Sequence, residues 1–214
     1  MRREGRLTPG QQNALRRLWP RYGLDPQQRL DPAAVFGRSA ALTLEIGFGN
    51  GASLAAMAAA EPGRDFIGIE VHRPGVGQLL KALESGGLEN VRVYCHDAIE
   101  VLNRCIDEHS LDRVLLLFPD PWPKKKHHKR RIVQADFVTL LARKLKAGGL
   151  LHMATDWQPY AEHMQAVMAG NPAFQACPAG HPDCRSTRPT TRFEQRGRRL
   201  GHAVTDLYYL REHT

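Results

Sequence analysis

The sequence predicts a parallel, doubly wound α/β sheet closed by an antiparallel edge strand. Three observations carry this. Five short apolar segments between residues 41 and 155 alternate with helical ones, the order that builds a parallel sheet with helices as crossovers. The first apolar segment runs into a glycine turn, Gly47-Phe48-Gly49-Asn50-Gly51. The last two strand candidates follow one another with only a turn between them, which breaks the alternation and makes an antiparallel strand at the edge.

The elements read in order. Thr8-Pro9-Gly10-Gln11 starts a helix: Thr8 caps, Pro9 takes the first helical position and Gln11 completes a capping box. Leu15, Leu18 and Trp19 give it an apolar face, and the helix is expected to end near Pro20. Asp31-Pro32 opens a second short helix, closed by Gly37. Strands follow at Ala41 to Ile46, Asp65 to Val71, Val91 to His96 and Arg113 to Phe118. The helices between them are Ala52 to Ala60, Pro74 to Glu84 and Ala98 to Cys105. Val133 to Leu145 is helical, because Phe137, Leu140, Leu141 and Leu145 recur at three- and four-residue steps, and Gly148-Gly149 is expected to stop it. Leu150 to Thr155 is the fifth strand and Gln158 to Ala169 a helix. Asn171 to Pro189 reads as loop, Thr191 to Arg196 and Val204 to Arg211 as strands, and Arg198 to His202 as the turn joining them.

At 214 residues the chain is one domain by length, with residues 1–37 as a helical extension and 38–214 as the α/β core. No run approaches the ~18 apolar residues of a membrane span, and no apolar stretch follows the basic N-terminus, so neither a membrane span nor a signal peptide is expected. A net charge of +8 suits a polyanionic partner without choosing among them. Cysteines 95, 105, 177 and 184 include no C-x-x-C pair, so reduced thiols in a cytoplasmic protein are the simplest expectation. Cys177, His181 and Cys184 match no common zinc spacing and are read as part of a polar loop.

In parallel sheets ligands bind beyond the carboxyl ends of the strands. Each of the five strands delivers an acid there: Glu45, Glu70, Asp97, Asp120 and Asp156. Taken singly, Asp97 and Asp156 are explained by helix capping. Five together suit a cationic or hydroxyl-bearing ligand. The turn Gly47-Phe48-Gly49-Asn50-Gly51-Ala52 also fits the dinucleotide pattern, with Glu70 where a ribose-binding acid belongs. A nicotinamide cofactor, however, brings a pyrophosphate that Glu45 would repel. S-adenosylmethionine brings a sulfonium, an ammonium and ribose hydroxyls, and a carboxylate ~4 Å from a cation is worth roughly 4 kcal/mol at an effective dielectric near 20. Glu70 then takes the ribose hydroxyls and Asp97 the adenine amino group.

The fourth strand leads into Pro119-Asp120-Pro121-Trp122-Pro123, where three prolines fix the backbone around Asp120. Lys124 to Arg131 follows, with six Lys or Arg in eight positions. It leaves the acidic rim directly, which favours a track for RNA or DNA phosphates over a plain solvated face. A second basic stretch holds Arg185, Arg188, Arg192, Arg196, Arg198 and Arg199, with Phe193 among them as either core or a base-stacking ring.

These residues together resemble the bacterial tRNA (guanine-N7-)-methyltransferases. The likeness rests on Leu44 to Gly51, Pro119 to Lys124, His128 to Arg131, Thr155-Asp156-Trp157 and Thr191 to Glu194, with Gly5 to Gln12 matching an N-terminal signature. It runs in order along nearly the whole chain. The glycine turn alone discriminates poorly, and Pro-Asp-Pro-Trp-Pro-Lys is highly specific. The resemblance implies a Rossmann-like class I S-adenosylmethionine-dependent fold, a mostly parallel sheet with helices on both faces and an antiparallel C-terminal edge strand. It implies methyl transfer from S-adenosylmethionine to N7 of guanine 46 in the tRNA variable loop, in the cytoplasm, by a monomer or homodimer. Carried over by motif, Glu45, Gly47, Gly49, Glu70, Asp97 and Asp120 bind the methyl donor, and Asp120 is also the first catalytic candidate, with Asp156 and Glu194 as competitors. Lys124, Asp156, Thr191, Arg192, Phe193 and Glu194 bind the substrate. Lys125, Lys126, Lys129, Arg130 and Arg131 are expected on tRNA phosphates. No metal is required. Two other classes stay open at this point: a nicotinamide-dependent reductase, and a non-catalytic RNA-binding module that keeps the basic runs without needing an acidic rim.

Overall fold

A computed structural model describes residues 6–178, 180, 181, 184, 188–190, 194, 195, 201 and 203–212. The chain packs as two compact units, Met1–Asp107 and Glu108–Thr214.

In the first unit the elements are α1 (Pro9–Tyr22), α2 (Pro32–Phe36), β1 (Leu42–Ile46), α3 (Ala52–Ala60), β2 (Asp65–Ile69), α4 (Arg73–Gly86), β3 (Val91–Tyr94) and α5 (Ala98–Arg104). Its strands run parallel in the order β3-β2-β1. Every residue of β1 and β2 is buried, as expected for parallel strands covered on both faces. The capping box at Thr8 and Gln11 forms as expected. α1 ends shortly past Pro20, as expected. The proline falls near the helix C-terminus, where its missing N–H removes a single hydrogen bond, and the last turn closes at Gly23, whose N–H donates to the Trp19 carbonyl at 2.7 Å. That last turn carries Tyr22 into full burial, worth about 1.5–3 kcal/mol for a large side chain. α1 joins the unit through ion pairs Arg17–Glu84 and Arg21–Glu89 and a bridge between Gly23 and Val93 of β3.

The second unit contains β4 (Leu111–Leu117), a 3-10 helix (Lys125–Arg130), α6 (Ala135–Lys144), β5 (Leu145–Thr155), α7 (Gln158–Ala169), β6 (Phe174–Ala176) and β7 (Thr205–Arg211). Its strand order is β4-β5-β7-β6. β4 and β5 are parallel, and β7 runs antiparallel to both β5 and β6. The antiparallel closure is therefore present, with a different partner from the one expected. Asn171 to Pro189 is not all loop: Phe174–Ala176 is the strand that pairs with β7. Glu194 and Gln195, in the segment expected as strand, are helical, and the rest of Thr191–Arg196 lies outside the described residues. So does the Arg198–His202 turn, apart from Gly201. Gly148-Gly149 lies inside β5 and does not stop α6. Leu145 already pairs with Leu111, and the register then jumps to Arg113–Leu150. Residues 146–149 form the extra length of a bulge, with Gly148 at φ 74°. Among the described residues no helix is long and apolar enough to cross a membrane.

Candidate functional site

Candidate residues lie in each of the two units. In the first, β1 delivers Glu45 into full burial, 2% exposed. The chain then turns through Gly47, Gly49 and Gly51, all at positive φ. Glu70, just past β2, does not face open solvent alone. Its carboxylate accepts the Gly49 N–H at 2.9 Å, the Val71 N–H at 2.7 Å and the His72 N–H at 2.9 Å. The Gly51 N–H donates to the Phe48 carbonyl, and the Ala52 N–H to Asn50 Oδ1. The N–H groups of Gly49, Gly51 and Ala52 are thus satisfied from within the unit. A dinucleotide turn presents such donors to a pyrophosphate, and these three are already engaged. A carboxylate offers about four lone-pair sites, so Glu70 retains one for a ligand hydroxyl. A Cβ built on Gly47 meets nothing within 4 Å, so space is open beside the turn. Buried and amide-bound acids at the strand ends suit the donors of S-adenosylmethionine.

Asp97 caps α5, accepting the Ile99 N–H at 2.9 Å, so capping is one of its functions. Asp156 does not occupy a cap: Trp157 is the N-cap of α7, and the Trp157 N–H bonds to Thr155 Oγ1 at 3.2 Å.

One glycine here went unnoticed in the sequence. Gly75, in the first turn of α4, lies so near the glycine turn that an added Cβ would stand 2.0 Å from the Gly49 carbonyl oxygen. Its signal was a glycine inside a helical pattern, which marks close backbone approach. Gly75→Ala is expected to push the turn off its position, weakening binding of the methyl donor at least tenfold and costing about 1–3 kcal/mol of stability. Calorimetry on the variant checks this, and unchanged affinity refutes it.

In the second unit β4 ends at Leu117, and the Phe118 N–H donates to the Ala154 carbonyl of β5 at 2.8 Å. Phe118 and Trp122 both take positive φ, 53° and 44°, on either side of the exposed Asp120. Non-glycine residues in that region cost on the order of 1–3 kcal/mol each, and the surroundings must hold them. Arg131 does so. It is 4% exposed, donates from Nε to the Pro121 carbonyl at 2.9 Å and packs its guanidinium 4.8 Å above the ring of Tyr160. Arg131 was expected on the phosphate track; burial takes it off that track and makes it a clamp on the Asp120 loop. Tyr160 is itself fully buried, and its hydroxyl pKa is pushed up to about 12, chiefly by burial. Lys124, Lys125, Lys126, Lys129 and Arg130 are exposed. The run is ordered as a 3-10 helix, with Arg130 over the Trp122 ring at 5.0 Å and His127 edge-on to it.

Glu194, expected at the substrate, is 3% exposed and paired with Arg188. Thr191, Arg192 and Phe193 lie outside the described residues. Arg188 also binds Asp206 of β7 through Nε and Nη2, both at 2.9 Å, and lies 5.2 Å from the centre of the Phe118 ring. His152 of β5, 4% exposed, donates from Nε2 to Asp206 Oδ1 at 2.7 Å and stacks on Tyr208. This network joins the C-terminal motif, the sheet edge and the residue that leads into the Asp120 loop. No local motif announces it, because its partners are far apart in sequence, His152 and Asp206 by 54 residues.

Burial raises the Asp206 carboxyl, and the hydrogen bonds from His152 and Arg188 outweigh that, leaving it at about 2. Burial lowers His152 more than Asp206 raises it. Between the ordinary histidine pKa of about 6.5 and its lowered folded value, the unfolded chain binds a proton that the folded chain refuses. Stability therefore falls as pH drops through that window. His152→Gln is expected to flatten this part of the pH profile, as read by urea unfolding from pH 7.5 to 5. An unchanged slope rejects the assignment.

Cys177 and Cys184 were expected as reduced thiols; the structure joins them as a disulfide, because successive turns bring the two side chains together. Cys95 and Cys105 take part in no disulfide among the described residues.

Comparison with known proteins bears on the whole chain. The 16S rRNA methyltransferase KamB superposes with a TM-score of 0.60, over 87% of this chain and 96% of its own, at 15% identity. An rRNA methylase from Streptococcus thermophilus gives 0.54 over 81% and 88%, at 12% identity. The fold is that of class I S-adenosylmethionine-dependent methyltransferases. A family model described as "Putative methyltransferase" matches residues 39–207. The tRNA (guanine-N(7)-)-methyltransferase of Alcanivorax borkumensis is 60% identical over 210 residues, 97% of this chain and 88% of that one. That of Methylococcus capsulatus is 56% identical over 211 residues, 98% and 91%. The chain belongs to the tRNA (guanine-N7-)-methyltransferase family.

Proposed function

We propose that the chain methylates N7 of guanine 46 in the variable loop of tRNA, with S-adenosylmethionine as donor and Asp120 as the catalytic carboxylate. The observation that carries the reading is the Phe118–Trp122 loop. Two strained residues, three prolines and a buried arginine hold one exposed acid at the end of β4. Structures store such strain where geometry serves function. The family match crosses both compact units, which supports one methyltransferase domain over 1–214.

S-adenosylmethionine supplies an electrophilic methyl group when bound. Guanine N7 has a free lone pair at neutral pH, so no side chain need remove a proton from it. What the chain contributes is alignment and charge. Asp120 accepts from the guanine N1–H and exocyclic amine. That interaction strengthens as positive charge grows on the purine, which is binding of the transition state over the ground state. Glu70 and Asp97 hold the ribose and adenine of the donor, and Glu45 its cationic end. Asp156, half-buried beyond β5, and Lys124 bind the substrate. The test is mass mapping of tRNA incubated with the protein and labelled S-adenosylmethionine. Label at guanine 46 is the expected result, and label elsewhere or none overturns the reading.

The exposed lysines of the 3-10 segment hold tRNA through phosphate. Phosphate contacts position a substrate without reading its sequence. Neutralising Lys125, Lys126 and Lys129 is expected to weaken all tRNAs by similar factors. It also lowers the log–log salt slope by about 2–3, since each contact contributes roughly 0.7–0.9. Binding curves at several salt concentrations decide this: parallel slopes, or loss confined to one tRNA, sink it.

A further inference from the structure

We propose that Cys177, His181 and Cys184, with both sulfurs reduced, bind one zinc-class divalent ion. The three side chains offer two sulfurs and an imidazole nitrogen whose atoms all lie within 4.8 Å of one another. The backbone builds the cluster. The Cys177 N–H donates to the Tyr208 carbonyl of β7 at 2.9 Å, which seats the first ligand on the sheet edge just past β6. The His181 N–H then donates to the Pro178 carbonyl and the Cys184 N–H to the His181 carbonyl, both at 3.1 Å. Two turns in succession bring positions 177, 181 and 184 to one place. All three are half-buried, shielded enough to hold an ion and open enough to admit one.

The His181 imidazole lies within 4.8 Å of both sulfurs of the disulfide. On one tetrahedral zinc, sulfurs ~2.3 Å and nitrogen ~2.0 Å from the metal stand roughly 3.5–3.8 Å from each other, so the two sulfurs, bonded in the structure, separate on reduction, while the imidazole already lies within 4.8 Å of both. Two thiolates neutralise a divalent ion, so no net charge is left in a half-buried place. Two sulfurs and one imidazole also select zinc-class metals over magnesium or calcium. The fourth position is left for water. The exchange balances: a dithiol reductant transfers two electrons and two protons to the disulfide, and binding of the ion then releases the two thiol protons. The disulfide and the ion are thus alternative closures of one loop, which leads into Arg188 and so into the network beside Phe118.

The experiment uses the full chain, reduced with a dithiol, desalted without oxygen and titrated with cobalt(II) as a probe. One cobalt per chain is expected, with the visible bands of a tetrahedral ion and a thiolate charge-transfer band, both abolished by an equivalent of zinc. Cys184→Ser removes the charge-transfer band or weakens binding at least tenfold. His181→Ala, which keeps both sulfurs, weakens it at least tenfold and serves as the test if the cysteine variant does not fold. No bands in the reduced parent overturn the proposal. So do full-strength bands in both variants, which would place the ion at Cys95, Cys105 or scattered histidines.

Discussion

Replacing Asp120 by Asn is expected to lower methyl transfer roughly 10²–10³-fold, the loss typical of removing one positioned electrostatic stabiliser. Asn keeps the shape and leaves the loop intact, because the bonds that hold it run to backbone: Arg131 grips the Pro121 carbonyl and the Phe118 N–H grips Ala154. What changes is charge at the point where the purine becomes positive. Affinity for the methyl donor should move much less than turnover, and single-turnover rates beside calorimetry separate the two. Turnover within twofold of the parent removes Asp120 from the chemistry.

The second large effect concerns stability. Arg188→Met removes a cation whose side chain is 3% exposed and leaves Glu194 and Asp206 without it. Breaking a buried ion pair from one side typically costs about 3–5 kcal/mol, because the remaining charge stays desolvated. For a chain of this size that corresponds to a melting temperature lower by roughly 6–20 °C. Arg188→Lys should recover only part of it, since a single ammonium cannot reproduce the fork that binds both Asp206 oxygens. Urea unfolding of the two variants provides the measurement. A loss under 1 kcal/mol for the Met variant means the network does not hold the second unit together. Turnover is expected to fall as well, because Arg188 packs on Phe118 at the entrance to the Asp120 loop.

The sequence by itself determined what depends on local pattern. α3 and α7 span Ala52–Ala60 and Gln158–Ala169, the bounds read from the sequence. The capping box at Thr8 starts α1 and the left-handed Gly37 ends α2, both through contacts within a few residues. The strand-end acids and the proline-fixed Asp120 follow from chain order alone, because parallel strands all present their carboxyl ends to one side within a unit. The tertiary structure decided what depends on partners far along the chain. The residues of 146–149 look like a helix stop, and only pairing of Leu145 with Leu111 makes them a bulge. Phe174–Ala176 is too short to announce a strand and becomes one because β7 offers it an open edge. Arg131 and Glu194 look like surface charges in a basic stretch. A carbonyl and a ring in one case, and a distant arginine in the other, make their burial favourable. A buried charge requires a specific partner, and that partner is supplied by the folded chain, not by neighbours in sequence.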